Sequence, residues 1–480
     1  MKKGYIKSAL GALAICMVTT TGCKNFLDIN DNPNAPENAQ VSLILPSAQA
    51  GISFVLGGTF QIYGNIWSQY WTQNFGASQY RSIDQYQPGA ADYDWPWNNL
   101  YSNSLEDLEM ILKEGRSDKN KQYAAIALLM KAYNYQMLTD AFGDVPLKEA
   151  TKGDDNLNPK YDTQKEVYDS IFKYIDEAQA MIDPASAYLP GADDLIFGGD
   201  MEQWDRFANT LKLRAYLRLL DVDKAKAEAG IKAVVAKHNF LERDAEVKYS
   251  GTGDNQNPVY SEIVQLQFTS NLLASATCVD TMNALQDPRV SVFYQPLAAT
   301  GKVTPIVQGG FALITSGSYS TPSFVVGARY SNNKSAMAPV KFISAAESYF
   351  LQAEASARGY GGGSASGLYG QGISASFSSY DIAEGSYVAD RVAAFPAAAE
   401  GRIRDIITQK YFAMCGNQGF EAWTEYRRTG YPSFLIKSKA SIYNDDSKPQ
   451  RFLYPSSEVT NNGNFPGSKL LTDKVWWDTK

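Results

Sequence analysis

The amino-acid sequence predicts an all-α protein made of helical hairpins, with an irregular, loop-rich part and only minor β-structure. Two observations indicate this fold class. Apolar residues recur three or four positions apart along several long segments, which is the period of an amphipathic α-helix. Between about residues 240 and 340 this period gives way to Asn-, Gly-, Ser- and Pro-rich segments typical of loops. The chain of 480 residues is 44% apolar and 20% charged, an ordinary globular composition.

Five apolar stripes predict, in chain order, five long helices. The members of each stripe follow one another at helical spacing, so that they share one face of their helix. The stripes lie within residues 126–137, 167–182, 204–215, 342–357 and 403–414. A sixth, shorter helix is predicted over about 420–428, because Gly430 and Pro432 follow it as stop signals.

The pairing of these helices predicts how they are arranged. Small residues such as Ala124, Ala127 and Ala132 stand where helices would approach each other closely, and several turns are short. These features resemble tetratricopeptide-type helical hairpins, although no strict repeat period is present. Such hairpins cannot bury their apolar faces alone and stack into a curved α-α superhelix. Outside them, residues 303–307 and 324–326 are predicted to form short strands at best, and the Gly/Ser/Tyr-rich segment 359–372 a mobile loop.

The N-terminus has the pattern of an export signal. Residues 1–22 combine a basic start with an apolar run that is too short to cross a bilayer. Small residues directly before Cys23 resemble a bacterial lipobox, which would leave Cys23 as the acylated first residue of the mature chain. Residues 23–40 are polar and contain two prolines, as expected of an extended tether, and 41–480 form the predicted folded domain. The alternative is an ordinary signal peptide that precedes a cysteine by chance.

Charge and composition exclude several classes of function. The formal net charge of −7 argues against a nucleic-acid-binding protein, which needs a basic surface. The one histidine, His238, excludes multi-histidine metal sites and mechanisms that need two imidazoles. Glycine-rich nucleotide loops and serine-hydrolase signatures are missing from the sequence. We therefore predict a non-enzymatic protein without catalytic residues, metal or other cofactor. Cys278 and Cys415 would remain after processing, and the sequence leaves open whether they form a disulfide.

Aromatic side chains set among amide and hydroxyl groups indicate a ligand-binding surface. Sugars present apolar C–H faces and polar edges, so a site that binds them combines flat rings with hydrogen-bonding groups. Segment 60–101 holds four tryptophans among many Tyr, Gln and Asn residues. Trp67, predicted to share a helix face with Trp71, and Trp97 are assigned to helix packing. Ligand contacts are predicted for Trp71, Tyr80, Trp95 and Tyr319, for which packing is the alternative interpretation.

Several segments, taken in order, resemble the SusD/RagB family of nutrient-binding outer-membrane lipoproteins. Residues 23–34 (CKNFLDINDNPN) are similar to the family's lipidated cysteine and tether. Residues 138–147 (LTDAFGDVPL) resemble the turn after its first helical hairpin, and 204–220 a core helix. The strongest match is 421–432 (EAWTEYRRTGYP), followed by 451–455 (RFLYP) and Glu458. Together these matches extend over essentially the whole mature chain.

This resemblance implies an all-helical fold whose tetratricopeptide-like units support a less regular ligand-binding half. It also implies a lipid-anchored protein on the exterior of the outer membrane, with a SusC-like TonB-dependent transporter as partner. The ligand would be an oligosaccharide or, in some branches, a peptide, and the family's variable ligand residues are not assigned by motif. Within 421–432 we predict structural roles, because Glu425, Arg427 and Arg428 can bond the last helix into the fold.

The preferred function is therefore a glycan-binding lipoprotein that captures nutrient for import. Three other functions stay open: a peptide-binding member of the same family, a cell-envelope glycoside hydrolase, and a helical scaffold for other proteins. A hydrolase needs two carboxylates about 5–10 Å apart, a geometry that sequence spacing cannot reveal among 51 acidic residues.

Overall fold

The structure is a computed structural model that describes residues 40–115 and 117–480. The predicted signal peptide 1–22, the lipidation site Cys23 and all but the last residue of the tether 23–40 lie outside the described residues. Residues 41–480 form a compact unit that is predominantly α-helical, as predicted.

The helices follow one another with short connections through most of the chain. A π-helical turn, Leu56–Phe60, joins the first two. In chain order the α-helices are α1 (Val41–Val55), α2 (Gln61–Trp67), α3 (Arg81–Asp84), α4 (Asp94–Asn98), α5 (Glu106–Glu114), α6 (Lys121–Phe142), α7 (Gln164–Met181), α8 (Met201–Arg218), α9 (Lys224–Val235), α10 (Pro258–Gln265), α11 (Ala276–Ala284), α12 (Val290–Phe293), α13 (Ala345–Ala357), α14 (Ala365–Ser378), α15 (Tyr387–Ala393), α16 (Ala399–Ala413), α17 (Gly419–Thr429) and α18 (Ser456–Asn461).

The β-structure of the described residues consists of three antiparallel pairs of short strands. β1 (Trp71–Gln73) pairs with β5 (Leu272–Ala274), β2 (Val145–Pro146) with β3 (Tyr161–Asp162), and β4 (Ala245–Val247) with β6 (Val340–Ile343). β4, β5 and β6 all lie in the loop-rich part between α9 and α13. The β4–β6 pair is therefore internal to this part, and the β1–β5 pair connects it to the helical scaffold.

Helical hairpins form the scaffold, as the apolar stripes predict. α6 packs on α7, α8 on α9, and α13 on α14, each helix against its neighbour in the sequence. Further contacts between α7 and α8, and between α13 and α16, join the hairpins to one another. The tetratricopeptide-like arrangement therefore holds for this chain without a strict repeat in its sequence.

Two glycines allow α2 and α17 to cross at backbone contact. A Cβ atom on Gly64 would lie 2.1 Å from the backbone nitrogen of Phe420, and one on Gly419 would lie 2.5 Å from that of Asn65. No larger residue fits at either position without separating the two helices. Beside this crossing, the ring of Phe452 packs against a shell of aromatic side chains: Phe60, Tyr63, Trp67, Tyr93, Phe142, Phe420 and Trp423.

A buried charge network joins the hairpins to α17. Arg218 on α8 lies at its centre, with its guanidinium 2.8 Å from Glu421, 3.3 Å from Asp140, and also paired with Glu425. Because cations and carboxylates are equal in number, pairing offsets the cost of removing them from water. The network contains five buried cations and five buried carboxylates, of which all but Arg427 form ion pairs: Arg214, Arg218, Lys410, Arg427, Arg428, Asp140, Glu347, Glu354, Glu421 and Glu425.

The same network reaches α13 and α16. Arg428 donates to both carboxylate oxygens of Glu354 on α13, at 2.8 and 2.6 Å. The ammonium group of Lys410 on α16 lies 3.1 Å from the carboxylate of Glu425. Ion pairs therefore connect five helices, α6, α8, α13, α16 and α17, through the side chains of the last.

Arg427 holds α17 in a different way. Its guanidinium carbon lies 3.6 Å from the ring centre of Trp423 and 4.8 Å from that of Trp477, and Nη2 donates to the carbonyl of Asp140 at 2.9 Å. Gly430 follows α17 in the left-handed conformation, with φ +73°. The structural roles predicted for Glu425, Arg427 and Arg428, and the helix stop at Gly430, are confirmed.

Three local predictions are wrong. The stripe that begins at Phe342 is not one helix, because Phe342 lies in strand β6 and α13 begins after Ser344, whose side chain caps it. Residues 359–372 are not a loop throughout, because α14 begins at Ala365. Residues 324–326 form a 3-10 turn, and among 303–307 only Ile306 makes an isolated β-bridge.

The apolar run Val41–Trp67 is long and hydrophobic enough for a membrane span by length and composition. Most of its apolar window is buried against the rest of the protein, so it is accounted for as a core element.

Removing the central cation should destabilise the fold strongly. In Arg218→Met, three buried carboxylates lose a partner, and we expect a loss of about 3–5 kcal/mol in the free energy of unfolding, measured by urea titration. The matched control is Lys165→Met, which removes an exposed pair with Asp169 and should leave the urea midpoint nearly unchanged. Equal urea midpoints for the two variants would show that the network does not hold the fold together.

Acid should weaken this network through Glu354. Burial favours a raised pKa for its carboxyl, but the guanidinium groups of Arg428 and Arg358 outweigh burial and lower the pKa from 4.5 to about 2. A lowered pKa in the folded state stabilises the fold above the unfolded pKa, and this contribution disappears as pH falls toward the folded value.

We therefore expect Glu354→Gln to melt below the wild type at neutral pH, with a gap that shrinks between about pH 5 and pH 3. Thermal unfolding followed by circular dichroism measures the gap. The exposed Glu202→Gln variant is the matched control and should melt with the wild type throughout. A Glu354→Gln gap that stays constant or widens on acidification would contradict the assignment.

Candidate functional site

The predicted ligand residues lie where the helices give way to short strands and turns. β1 pairs with β5 so that Trp71 lies opposite Ala274. The amide of Ala274 donates in turn to the carbonyl of Ser320, at 2.8 Å. This succession brings Tyr319, which is distant in the sequence, to the turn that follows β1.

An aromatic surface results, which we define as Phe75, Arg81, Phe311 and Tyr319. The rings of Phe75 and Tyr319 meet edge to face, with their centres 5.9 Å apart, and both are half-buried. The guanidinium carbon of the exposed Arg81 lies 5.5 Å from the ring centre of Phe311, and its Nε donates to the carbonyl of Ala77. This part of the chain therefore offers two half-buried rings and an exposed charged hydrogen-bond donor, which lies over the buried ring of Phe311.

A buried carboxylate supports this surface from below. Asp84, which is 0% exposed, accepts hydrogen bonds from the hydroxyl of Thr72 at 2.6 Å and from the amide of Gln73 at 3.0 Å. It also accepts from the side chains of Gln308 at 2.8 Å and Ser438 at 3.1 Å. One side chain thus connects β1 with two distant loops, and the hydrogen bonds oppose the rise in the pKa of Asp84 that burial causes.

Tyr80, the residue before Arg81, borders a small pocket of about 210 Å³. It is only 5% exposed, and its hydroxyl donates to the carboxylate of Glu262 at 2.5 Å. On another wall, the hydroxyl of Tyr63 donates to Asp92 at 3.2 Å. Burial raises the pKa of the Glu262 carboxyl, while the hydrogen bond from Tyr80 opposes the rise.

Trp95 is exposed, and Trp71 is not. Trp95 lies on α4 with 47% of its surface accessible, and its ring meets that of the partly exposed Phe54 at a centre distance of 5.6 Å. Trp71 is fully buried in β1, so it supports the surface from beneath. It does not share a helix face with Trp67, because α2 ends at Trp67. The packing roles predicted for Trp67 and Trp97 are confirmed by their burial.

Sequence reasoning missed Phe75, Arg81 and Phe311. Phe75 and Arg81 belong to the aromatic segment 60–101 that the sequence already singled out, and the Gly76–Ser78 turn between them is a usable signal for an exposed loop. Phe311 carries no such signal, because its place beneath Arg81 depends on a contact between distant parts of the chain.

The ionisable groups of this region are engaged by the protein or lie apart from the pocket. The carboxylates of Asp92 and Glu262 are each engaged by a tyrosine hydroxyl. His238 is exposed at the end of α9 and is not among the residues that border the pocket. Within 40–115 and 117–480, no group of three or more His, Cys, Asp or Glu side chains is placed to hold a metal ion. Cys278 and Cys415 are buried free thiols.

Comparison with solved structures identifies the fold. A chitin-binding protein superposes with a TM-score of 0.79 at 26% identity, covering 92% of this chain and all of that one. A SusD homologue from Bacteroides uniformis gives 0.76 at 25% identity, covering 91% of this chain and 99% of the other. A chitin-binding SusD homologue from Flavobacterium johnsoniae has the same fold, with 0.75 at 24% identity and coverages of 91% and 99%.

Sequence comparison identifies the family. None of the curated proteins matches this sequence. The SusD-like family described as "Starch-binding associating with outer membrane" matches residues 33–455, which is most of the chain. This match confirms the resemblance seen in the sequence segments, and the chain belongs to the SusD-like family.

Proposed function

We propose that this protein is an outer-membrane lipoprotein that binds an oligosaccharide on the aromatic surface and delivers it to a SusC-like TonB-dependent transporter, without catalysis. The observations that carry the proposal are the half-exposed pair of rings, Phe75 and Tyr319, and the exposed guanidinium of Arg81, which begins the helix after the turn that holds Phe75. The description of the family as starch-binding and the chitin-binding neighbour support a carbohydrate ligand.

The surface suits a sugar chain in shape and polarity. The rings of Phe75 and Tyr319 offer apolar faces to sugar C–H groups, and Arg81 can donate to hydroxyl oxygens. Tyr80 and Trp95 extend the surface: Tyr80 borders the adjacent pocket, and Trp95 lies one helical turn after Asp92 of the same pocket. Trp71 keeps a supporting role in this proposal.

The proposed anchor explains how such a binder reaches its transporter. Acylation of Cys23 would tether the domain to the membrane, because two signals or chains give firmer attachment than one. A tethered receptor also stays near its partner at high effective concentration, so modest affinity for each sugar suffices.

Loss of either ring should weaken glycan binding. We expect Tyr319→Ala and Phe75→Ala each to bind chitin or starch oligosaccharides at least about tenfold more weakly, a change of about 1.4 kcal/mol, by calorimetric titration. The matched control is Tyr188→Ala, which removes an exposed tyrosine, 47% accessible, outside the site and should leave affinity unchanged.

The same titration separates the alternatives. Binding of a peptide library but of neither oligosaccharide would overturn the glycan assignment in favour of a peptide ligand. Shortening of the oligosaccharide by the wild type, abolished in Glu262→Gln, would establish a hydrolase instead.

The anchor is tested in cells by palmitate labelling. We expect the wild type to be labelled and to fractionate with the outer membrane, and Cys23→Ala to lose both properties. Cys278→Ala is the matched cysteine control and should behave as the wild type, because its thiol is buried. A labelled Cys23→Ala, or an unlabelled wild type, would contradict the proposed anchor.

A further inference from the structure

A groove on another part of the protein has no role in the proposed site. It consists of two adjoining cavities of about 630 and 440 Å³ that share Arg243, Asp244 and Ser379 in their walls. The first lies over the β4–β6 strand pair, and the second lies against one side of α14. No residue of the aromatic surface or of the Tyr80 pocket borders either cavity.

Free hydroxyl and amide groups line the α14 end of the groove. Gln371, Ser374 and Ser378 follow at spacings of three and four residues, so they share one face of the helix. Tyr349 on α13 lies opposite and is half-buried. Within the described residues, none of these four side chains makes a hydrogen bond to another protein group, so all of them are available to a ligand.

The other end combines apolar rings with paired charges. Phe324 and the 48% exposed Met337 form an apolar wall. In the floor, the ammonium of Lys341, 4% exposed, lies 2.7 Å from Asp244 and 4.6 Å from the ring centre of Tyr380.

The remaining charges are mostly paired as well. Lys248 lies 3.7 Å from Glu246, and Arg243 lies 3.0 Å from Asp200 outside the groove. The exposed Lys334 at the rim has no carboxylate partner among the described residues, and its ammonium lies 5.8 Å from the ring centre of Phe324. Because the buried cation in the floor, Lys341, already has Asp244 as its partner, the floor of the groove suits an uncharged ligand better than a strongly ionic one.

From these observations we propose that the groove is a second carbohydrate site, which binds an uncharged oligosaccharide along Gln371, Ser374 and Ser378 with Tyr349 as a ring platform. Hydroxyl groups that both donate and accept match the hydroxyls of a sugar. The volume is within the range of specific ligand sites, about 300–1,000 Å³. The inference rests on the proposed function, because it adds a second site for the same class of ligand.

A second site would lengthen the contact between one protein and a long glycan. Two weak sites on one chain hold a polymer more firmly than either alone, provided that the polymer can reach both. The groove therefore accounts for retention of a polysaccharide, whereas the aromatic surface accounts for recognition of a short segment.

Titration with chitin hexasaccharide and maltohexaose measures both sites in one experiment. We expect each wild-type protein to bind two molecules of one of these sugars. Tyr319→Ala should keep the binding event in the groove and weaken the other. Ser374→Trp, which fills the groove, should keep the binding event on the aromatic surface. The matched control is Ser170→Trp, at a half-exposed helical serine of α7 outside the groove, which should keep both.

A milder variant tests the groove even if Ser374→Trp fails to fold. Gln371 is exposed, and Gln371→Ala should leave the melting temperature unchanged while it weakens sugar binding in the groove at least about threefold. If the wild type binds a single sugar molecule per protein, and neither Ser374→Trp nor Gln371→Ala changes this binding, the second site is overturned and the proposed function stands. Binding of neither sugar would overturn both the second site and the proposed function. Binding of a peptide that Ser374→Trp abolishes would assign the groove to a peptide ligand instead.

Discussion

The fold depends on a cluster of ten buried ionic side chains with Arg218 at its centre. Taking these charges out of water costs free energy, which the pairing of cations with carboxylates offsets, as where Arg218 meets Glu421 and Glu425. The arrangement requires α6, α8, α13, α16 and α17 to lie in one register, because a shifted helix would leave a buried charge without its partner. Buried ion pairs therefore hold the hairpins together, in addition to apolar packing.

This rigid half positions the binding half. α2 is held against α17 by backbone contact at Gly64 and Gly419, and the chain leaves α2 directly into β1. The carboxylate of Asp84 then accepts hydrogen bonds from β1 and from two distant loops. A ligand surface made of turns thus acquires a fixed shape, which lowers the entropy cost of binding. The roles fall on different residue classes: buried charges hold the scaffold, and we propose that the half-exposed rings contact the ligand.

Much of the scaffold was predictable because its signals are local. The apolar stripes, the stop at Gly430 and the ionic roles of Glu425, Arg427 and Arg428 can be read within one helix. α14 was not predictable, since its Gly- and Ser-rich sequence has low helix propensity, and Gly372 is needed only where the ring of Phe350 on α13 packs against it. The burial of Trp71 and the meeting of Tyr319 with Phe75 depend on the pairing of β1 with β5, which joins segments about two hundred residues apart.

We propose that the aromatic surface binds an oligosaccharide without altering it. A crystal structure of the protein with a chitin or starch oligosaccharide would show this contact directly. We expect an intact sugar chain whose ring faces lie on Phe75 and Tyr319 and whose hydroxyls meet Arg81. A cleaved sugar, or an occupied protein whose sugars lie entirely away from these three residues, would contradict this proposal.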